Sequence, residues 1–468
     1  MVNMNTRVTV VILAAGLGTR MKSRQAKVLH QAGGKTLIEH TVDTALNLAS
    51  PERVFVVVGH QAGEVRAAVA SRGVRFIQQT EQKGTGHALM AGRESLESLG
   101  GLLVVYYGDC PQIPAVLLQS LVEHQSRSDA AATLVAAELD DPTGYGRVIR
   151  DKSGRVLAVV EQKAGTPEQL AIKEGNVGIY CFRADLFWKH VGELQPNNPA
   201  REYYLTDMVE ILIRAGHKID AYRAQSPGEL LGINNRVELA AADRRFRERK
   251  VLELMLRGVT IEKPETVSVD DAVEIGIDTV IEPFAQILGN TKIGEGCRIG
   301  ACSIIRDSVL AEGVQVGAFT IIGTSRVAAG VTVGPYARLR LENDIAAGAQ
   351  IGNFVELKKT QMGAGAKAMH LAYLGDSAVG EDVNVGAGTI TCNFDGRAKH
   401  QTKIGKGAFV GSNSTLVAPV EIGAGAYLAA GSVITDSVPP DALALGRARQ
   451  VIKAGWARKR REQAPAKV

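Results

Sequence analysis

Residues 287–305 read ILGNTKIGEGCRIGACSII, and this stretch decides the fold of the second half of the chain. An aliphatic side chain recurs every six residues within it, at Ile287, Ile293, Ile299 and Ile305. A period of six fits neither a helix nor a lone strand, but it fits a solenoid in which each short strand buries one aliphatic side chain before a corner. The stretch therefore predicts a parallel β-helix, in which stacked coils supply the core that a single coil lacks.

This recurrence of an aliphatic side chain every six residues, or beat, continues through most of the second half of the chain. It returns at Val327, Val333, Leu339, Ile345, Ile351 and Leu357, then at Val379 and Val385, and then at Ile404, Val410, Leu416, Ile422 and Leu428. We assign the β-helix to residues 258–446, with the regular beat beginning near Val267. The beat stops between Leu357 and Val379, which predicts a loop that interrupts the solenoid.

Length and composition indicate a soluble protein with two domains. A chain of 468 residues is too long for one compact core, and 45% hydrophobic and 22% charged residues are typical of globular proteins. The apolar run Val8–Ala15 is much shorter than the ~20 residues that span a bilayer, and no cleavage site for secretion follows it. Membrane insertion and secretion are therefore not expected.

Cysteine usage and charge indicate where the protein is located and which partners it binds. The five cysteines form no CxxC pair and leave one over, which argues against a disulfide framework and favours a cytoplasmic location. The formal charge of +5 is concentrated in a basic tail, residues 447–468, which is either solvated or in contact with the phosphates of an anionic cofactor. Nucleic acid is not an expected partner, because aromatic residues make up only 5% of the chain and no recognition motif is present.

The first half of the chain has a different organisation. Apolar runs typical of strands alternate with helical patterns, at Val8–Ala15, Arg53–Gly59, Leu102–Tyr107 and Ala131–Ala136. This alternation predicts βαβ units and a mostly parallel sheet, so residues 1–236 are assigned to an α/β domain of Rossmann-like class. Residues 237–257 lack Gly and Pro and are rich in helix formers, which predicts one long linker helix.

A glycine-containing loop follows the first strand of this domain. Residues 13–21 read LAAGLGTRM, and glycines at that position let backbone N–H groups approach a phosphate closely. The dinucleotide fingerprint GxGxxG fails because Met21 stands in place of its third glycine. A Walker P-loop ending at residues 34–36 would need Gly at position 29, where the chain has Leu29.

The motif LAAGxGTRM, with Lys27 seven residues after Arg20, resembles the sugar-nucleotide pyrophosphorylase family. Further pieces of the family pattern follow in order: Gln79, Gly84-Thr85-Gly86, Tyr107-Gly108-Asp109, Gly144-Tyr145-Gly146, Glu161, Asn176, and residues 203–207 and 232–236. One position departs from the pattern. The family usually carries Pro directly before the lysine, and this chain has Ala26.

The resemblance implies that a sugar 1-phosphate attacks the α-phosphate of UTP. Arg20 and Lys27 would neutralise phosphate oxygens as catalytic residues, while Asp109 and Asn234 would bind Mg²⁺. A lone Asp at the end of a strand is more often a turn or capping residue, but the accompanying motifs favour the metal site. The implied substrate-binding set is Leu13, Ala14, Ala15, Gly16, Lys27, Gln79, Gly84, Thr85, Tyr107, Gly108, Asp109, Gly146, Glu161, Asn176 and Asn234.

A second group of polar residues falls in and after the predicted interruption of the β-helix. It comprises Lys358, Lys359, residues 369–373, Gly375, Asp376, Asn384, residues 387–389 and 391–396, and Ser412. From about Arg7 to about Trp456 the chain resembles the GlmU-type family of bifunctional N-acetylglucosamine-1-phosphate uridyltransferase/glucosamine-1-phosphate acetyltransferases. That resemblance implies a left-handed β-helix, a homotrimer, acetyl-CoA and UTP as co-substrates, and a UDP-N-acetylglucosamine product used in the bacterial cell envelope.

The acetyl-transfer chemistry explains why a histidine belongs in this group. Moving an acetyl group from a thioester to an amine needs a base with a pKa near neutrality, and His370 is the candidate. An isolated His is more often structural, but one in a repeat-breaking loop with lysines nearby favours catalysis. The resemblance adds Arg340 and Lys358 for the sugar phosphate, Tyr373 and Asn384 for the sugar, and Ala387, Asn393, Phe394, Ser412, Ala430 and Arg447 for acetyl-CoA. Phe394 replaces a common Tyr, so only packing is expected of it.

Two other interpretations stay open on sequence grounds. The chain could be a monofunctional sugar-1-phosphate nucleotidyltransferase whose β-helix has no activity, or a hexapeptide scaffold without any catalysis. The set Arg340, Lys358, His370 and Asn384 argues against the former. The set Arg20, Lys27, Asp109 and Asn234 argues against the latter.

Overall fold

A computed structural model describes residues 7–225, 228 and 230–463 of the chain. These residues divide into two compact units, with the division between Phe246 and Arg247. No helix in the described ranges is long and apolar enough to cross a membrane.

The first unit is an α/β domain built on one large sheet. Its strands are β1 Val8–Leu13, β2 Gln31–Ala32, β3 Lys35–Thr36, β4 Val54–Val58, β5 Arg75–Gln78, β6 Leu102–Tyr107, β7 Ala132–Glu138, β8 Gly146–Arg150, β9 Val156–Val160, β10 Glu174–Arg183 and β11 Ile219–Arg223. Its helices are α1 Leu37–Leu46, α2 Ala62–Val69, α3 Thr85–Met90, α4 Arg93–Leu96, α5 Ala115–Arg127, α6 Pro167–Leu170, α7 Ala184–His190 and α8 Asp207–Arg214. Helix α9, Arg236–Leu256, follows them.

The order of strands in the sheet places the glycine loop at its centre. The order is β11-β7-β10-β6-β1-β4-β5, with β8 and β9 attached to β10. Strands β4, β1 and β6 are parallel, and β10 runs antiparallel to both β6 and β7. Every residue of β1 is buried, because apolar clusters pack on both faces of the sheet. The loop after β1 therefore opens at the carboxyl edge of the sheet, where such folds bind ligands.

Helix α9 contributes to the cores of both units. Phe246 stacks on His40 at 4.0 Å and packs with Ala242 in the first unit, whereas Val251 and Leu254 belong to the core of the second. The helix coincides closely with the predicted linker, residues 237–257. Its first half, however, belongs to the compact unit that precedes it.

The second unit is a three-faced parallel β-helix. Face 1 comprises Thr260–Ile261, Val280–Ile281, Arg298–Ile299, Gln315–Val316, Thr332–Val333, Gln350–Asn353, Lys367–His370, Asn384–Val385, Phe409–Val410, Tyr427–Leu428 and Leu443–Ala444. Face 2 comprises Ser268–Val269, Gln286–Leu288, Ile304–Arg306, Ile321–Gly323, Arg338–Leu339, Glu356–Lys358, Tyr373–Gly375, Ile390–Cys392, Thr415–Val417 and Val433–Ile434. Face 3 comprises Glu274–Ile275, Lys292–Ile293, Val309–Leu310, Arg326–Val327, Asp344–Ile345, Gln361–Met362, Ser377–Val379, Thr402–Ile404 and Val420–Ile422.

The predicted interruption between Leu357 and Val379 is wrong. The coils run through it without a break, and Met362, Ala368 and Leu374 fill the inward positions with 1% exposure or less. The beat was hidden because Met and Ala replace the usual Ile, Val or Leu at two of these three positions. Some corners are also one residue shorter, which breaks a strict period of six. His370 consequently ends a regular strand rather than lying in a loop.

The true insertion in the solenoid lies further along the chain. Residues 393–401 separate Cys392 on face 2 from Thr402 on face 3, and an isolated bridge between Phe394 and Lys399 closes them into a small hairpin. The solenoid also begins earlier than its regular beat, with the strand Thr260–Ile261. In the basic tail, residues 456–462 form the exposed helix α10.

Candidate active sites

The glycine loop of the first unit brings the predicted catalytic lysine close to β1. Gly18 has a left-handed φ of 61°, and a Cβ atom there would lie 2.6 Å from Cβ of Lys27. Only a glycine allows this contact, so the LAAGxGTRM motif and Lys27 form one local structure. Lys27 begins a short 3-10 turn, Lys27–Leu29, that follows Ala26.

Three predicted residues from distant parts of the chain meet at Lys27. Its Nζ donates to Asp109 Oδ2 in a short contact and to Asn234 Oδ1 at 2.9 Å. Asp109 follows the carboxyl end of β6, and Asn234 precedes α9, whose first turn holds it through a hydrogen bond from Asn234 N to Glu238 Oε2 at 2.6 Å. Two oxygen atoms that accept hydrogen bonds thus converge on one ammonium group.

Two clefts share this meeting point. The larger, of about 450 Å³, is lined by the predicted nucleotide residues Leu13, Ala14, Ala15, Gly16, Gln79, Gly84 and Thr85. The smaller, of about 270 Å³, is lined by the predicted sugar residues Gly146, Glu161 and Asn176. Arg20, Tyr107, Asp109 and Asn234 border both clefts. Gly108 does not line either; it packs beneath the loop, against Ala14.

Backbone geometry shapes the larger cleft. Gln79 is buried, and its Nε2 donates to Gly84 O at 3.1 Å. Gly84 has φ of 103°, and a Cβ atom there would lie 2.6 Å from the carbonyl oxygen of Tyr203. The following residue, Thr85, accepts a hydrogen bond from Leu205 N at 3.0 Å. These contacts hold the Gln79 to Thr85 segment against residues 203–205, another predicted motif.

The smaller cleft is lined by polar groups in a largely dehydrated setting. Asn176 Nδ2 donates to the Tyr180 hydroxyl at 2.6 Å, and its Oδ1 accepts from Gly178 N at 3.2 Å. Glu161 accepts from Thr206 Oγ1 at 3.2 Å, and burial raises its pKa. Burial also raises the pKa of the Cys110 thiol, so this side chain stays protonated and is no nucleophile.

Ala26, which stands before Lys27 where proline was expected, has a backbone conformation like that of proline. Ala26 has φ of −56° and ψ of 139°, which lies in the range that proline enforces. Its N–H, which proline would lack, donates to Gln61 Oε1 in a short hydrogen bond. Nothing in the sequence pattern indicated Gln61, because the contact joins residues far apart in the chain.

In the second unit, His370 lies at the corner where face 1 meets face 2. Its Nδ1 is 3.0 Å from Oδ1 of Asn353, the residue beside it on the preceding coil. An amide oxygen accepts only, so the contact fits the tautomer in which Nδ1 carries the proton and Nε2 keeps its lone pair. Asn353 was missed by sequence reasoning, since it becomes a neighbour only through the register of the coils.

The predicted acetyl-CoA residues form a column along this corner. Gly388 N donates to His370 O at 3.4 Å, Asn413 N to Ala387 O at 2.7 Å, and Gly431 N to Ser412 O at 2.8 Å. Ala387, Ser412 and then Ala430 therefore follow His370 on successive coils, about 4.8 Å apart. Arg447 lies beside Gly431, where a Cβ atom would be 3.7 Å from Arg447 Cδ. The small side chains along this edge are partly or fully exposed in the single chain.

Lys358, predicted to bind the sugar phosphate, ends a strand of face 2 and lies close to residues of the insertion. Asp376 Oδ2 accepts from Lys358 Nζ at 3.2 Å and from Asn393 Nδ2 in a short contact. Lys399 of the insertion is close enough for Lys358 to lower its pKa, which gathers two ammonium groups at one point. Lys399 was not among the predicted residues.

The remaining predicted residues differ in how closely they approach this cluster. A Cβ atom on Gly375 would lie 2.4 Å from the Tyr373 hydroxyl and 2.8 Å from Asn393 Nδ2, so both groups lie over that glycine. Arg340 Nη1 donates to Glu356 Oε1 at 3.1 Å. Asn384 lies on face 1, on the coil after His370. Phe394 is exposed on the insertion, without a core of its own chain to pack against.

Comparisons with known proteins agree with the division into two units. Residues 10–171 match the model of the MobA-like NTP transferase domain, and residues 272–307 and 401–436 match that of the bacterial transferase hexapeptide (six repeats). The predicted fold class is confirmed: a Rossmann-like nucleotidyltransferase domain, a helix and a left-handed parallel β-helix.

Relatives align with nearly the whole chain. The "Bifunctional protein GlmU" of Solibacter usitatus is 66% identical over 97% of this chain and 98% of its own length. The proteins of that name from Koribacter versatilis and Trichlorobacter lovleyi are 48% and 46% identical, over 98% and 97% of this chain and 98% of their own lengths.

Proposed function

Because the chain belongs to the family of bifunctional GlmU proteins, we propose that its two units carry the two transfers as follows. The β-helix acetylates glucosamine 1-phosphate with acetyl-CoA. The first unit then transfers UMP from UTP to N-acetylglucosamine 1-phosphate, which yields UDP-N-acetylglucosamine and pyrophosphate. This bifunctional reading is favoured over a nucleotidyltransferase with an inactive β-helix.

One observation carries the assignment of the first unit. Arg20, Tyr107, Asp109 and Asn234 border both the larger and the smaller cleft, so groups bound in the two clefts would meet at these residues. A nucleoside triphosphate in the larger cleft would present its α-phosphate to a sugar phosphate in the smaller one. Such positioning is the main requirement of a displacement at phosphorus.

The convergence of Asp109 and Asn234 fits a Mg²⁺ site. Both oxygens already accept from the Lys27 ammonium, so the point between them favours a cation. Mg²⁺ prefers oxygen ligands and commonly takes only one or two from protein, with phosphates and water supplying the rest. Within the described part of the chain, no group of three or more His, Cys, Asp or Glu side chains could hold a metal ion, which suits this sparse arrangement. When bound, Mg²⁺ would offset negative charge on the phosphates.

The uridylyl transfer forms one P–O bond and breaks another. An oxygen of N-acetylglucosamine 1-phosphate attacks the α-phosphorus of UTP, and the bond from that phosphorus to the bridging oxygen breaks to release pyrophosphate. Arg20 and Lys27 neutralise the phosphate oxygens, whose charge would otherwise repel the anionic nucleophile. Gln79, Gly84 and Thr85 hold the base, while Gly146, Glu161 and Asn176 hold the sugar.

The acetyl transfer uses Nε2 of His370 as base. Nε2 removes a proton from the sugar amine while the amine nitrogen bonds to the thioester carbon. The C–S bond then breaks, and the CoA thiolate leaves and takes up that proton as the free thiol. Lys358 and Arg340 bind the sugar phosphate, and Tyr373 and Asn384 contact the sugar. The column of Ala387, Ser412 and Ala430, with Asn393 and Phe394 nearby and Arg447 at its end, accepts acetyl-CoA.

A homotrimer explains an apolar ridge on the β-helix. At the corner that carries His370, Phe319, Tyr336 and Phe354 stack at 5.0 and 5.4 Å, and Phe284 and Leu371 extend the ridge in both directions. All five side chains are 48–61% exposed in the single chain. Contiguous apolar surface of this kind marks a protein interface, and a second and third copy of the chain would cover it while enclosing His370.

A cytoplasmic location fits the chemistry of both substrates and the five free thiols, three of which are buried. The experiment that tests the whole proposal supplies glucosamine 1-phosphate, acetyl-CoA, UTP and Mg²⁺ together. We expect release of free thiol and of pyrophosphate, and a sugar nucleotide with the mass of UDP-N-acetylglucosamine. Pyrophosphate release from N-acetylglucosamine 1-phosphate without any thiol release would favour the monofunctional alternative.

A further inference from the structure

The segment that carries Lys27 is anchored to a neighbouring turn by a single side chain. Ala26 is 2% exposed, so water cannot readily replace the acceptor of its N–H group. That acceptor is Oε1 of Gln61. Gln61 lies between β4 and α2 and has a left-handed φ of 51°. From there its side chain reaches the backbone of Ala26.

The same turn also supports the glycine loop. A Cβ atom on Gly59 would lie 2.9 Å from Cβ of Ala15, so the turn at residues 59–61 packs against Ala15 directly. It therefore touches two of the chain segments that border the larger cleft, one through Gly59 and the other, directly before Lys27, through Gln61. Gln61 itself lines neither cleft, so it does not reach the substrate.

We propose that Gln61 is a positioning residue for Lys27 in uridylyl transfer. Its carboxamide fixes the Ala26 backbone in the conformation that a proline would enforce by its ring, and Lys27 then starts its turn in the correct direction. The inference rests on the proposed role of Lys27 in neutralising the phosphates. It adds that a hydrogen bond from a neighbouring turn secures the backbone directly before this lysine.

The kinetic consequence follows from where the charge develops. A lysine that is displaced by a fraction of an ångström still attracts the triphosphate, but it stabilises the transition state less well. Loss of the Gln61 contact should thus lower kcat for uridylyl transfer more than it raises KM for UTP. Acetyl transfer, measured in the same preparation, should not change.

The test is a double-mutant cycle on the full-length protein. Gln61→Ala should lower kcat for uridylyl transfer by about tenfold, the scale of one buried hydrogen bond. In Gln61→Ala/Ala26→Pro the ring replaces the constraint and no buried N–H is left without an acceptor, so kcat should return to within about threefold of wild type. Gln78→Ala is the matched control, because the Gln78 side chain is exposed and its Oε1 accepts from Arg66 on the protein surface; its kcat should equal that of wild type.

Two outcomes would overturn the proposal. One is a Gln61→Ala variant with unchanged kcat for uridylyl transfer; the other is a loss that the added proline fails to reverse while acetyl transfer and the melting temperature stay normal. Lys27→Met separates this inference from the proposed function. If Lys27→Met retains uridylyl transfer, the role of Lys27 is wrong; if it loses the activity and Gln61→Ala does not, only the positioning role is wrong.

Discussion

At the scale of single residues, Asp109 joins the two halves of the nucleotidyl site. It accepts from Lys27 and borders both clefts, so its carboxylate lies where groups bound in the two clefts would meet, and we propose it as a ligand of Mg²⁺. Asp109→Ala should reduce uridylyl transfer by roughly a hundredfold or more, the scale seen when a group that stabilises developing charge is removed. Acetyl transfer by the same preparation should remain near wild type. Equal loss of both activities would point to misfolding or to a shared site instead.

His370 and Asn353 form the corresponding pair in the β-helix. His370→Ala should lower kcat for acetyl transfer by about a hundredfold or more with a small change in KM, because proton removal rather than binding is lost. A variant that keeps most of its kcat would exclude His370 as the base.

A substitution at Asn353 tests this pair through the pH dependence of acetyl transfer. Asn353→Asp places a carboxylate beside Nδ1, where it stabilises the positive charge of the imidazolium. The acidic limb of the profile of kcat/KM for acetyl transfer should therefore move to higher pH. The uridylyl-transfer profile of the same variant is the control, and an acetyl-transfer limb that stays in place or moves to lower pH would mean that residue 353 does not contact the imidazole.

At the scale of elements, the β-helix shows what a period in the sequence can predict. The inward positions follow from the beat wherever Ile, Val or Leu fills them, as at Ile299 and Leu339. The beat failed between Leu357 and Val379 because Ala368 and Met362 fit the same inward space without matching the pattern. Which residues stack, such as Asn353 beside His370, depends on how many residues each corner holds, and the sequence does not show this.

The continuous core makes a prediction about Leu374, which lies in the stretch first assigned to a loop. Leu374 is fully buried, so Leu374→Ala should destabilise the β-helix by about 2–5 kcal/mol. Ile321→Ala, on the outer surface of the same face and 44% exposed, is the matched control and should change stability little. Calorimetry on the full-length protein measures both; an unaffected β-helix transition in Leu374→Ala would mean that this stretch is a loop after all.

Helix α8 carries an acid whose charge is unfavourable in the folded state. Burial, with a further contribution from Glu210, raises the pKa of Asp207 from 3.8 to about 6. Between these two values the folded state binds more protons than the unfolded state, so stability falls as pH rises through this window. Asp207→Asn should thus raise the melting temperature more at pH 7.5 than at pH 5.

The control for this effect is Asp185 in the first turn of α7. Burial opposes ionisation there too, but Arg183 outweighs it and the net pKa is lowered. Asp185 is therefore ionised in both states above pH 5, and Asp185→Asn should change the melting temperature equally at the two pH values. An Asp207→Asn variant that behaves in the same way would refute the raised pKa.

At the scale of the whole molecule, two independent cores allow two chemistries on one chain. A long motif specifies the residues proposed for the nucleotidyl site one by one, and the structure brings Arg20, Lys27, Asp109 and Asn234 together at the larger cleft. The acetyl-transfer residues were predictable only in part. His370, Ala387, Ser412 and Ala430 form one wall of a groove, and a single chain has no opposite wall to place against it.

The exposed basic tail suggests what completes that groove. In the single chain Val451, Ile452 and Trp456 are 60–79% exposed, although they are apolar and the residues around them are basic. Exposed apolar side chains of this kind are typical of a segment that docks on another surface, and the cations of the tail suit the phosphates of CoA. We therefore expect the tail of one subunit to lie on the groove of a neighbour in the trimer.

Hybrid trimers test this arrangement. Chains with His370→Ala and chains that end at Gly446 should each lack acetyl transfer alone but recover it when mixed during refolding or co-expression. If each pocket takes His370 from one chain and the tail from a neighbour, a random one-to-one mixture restores about a quarter of the wild-type activity, because each requirement is met half the time. Uridylyl transfer should remain at the wild-type level in every mixture. No recovery, with hybrids confirmed by native mass spectrometry, would mean that each chain completes its own pocket, and an active monomer in light scattering would refute the trimer.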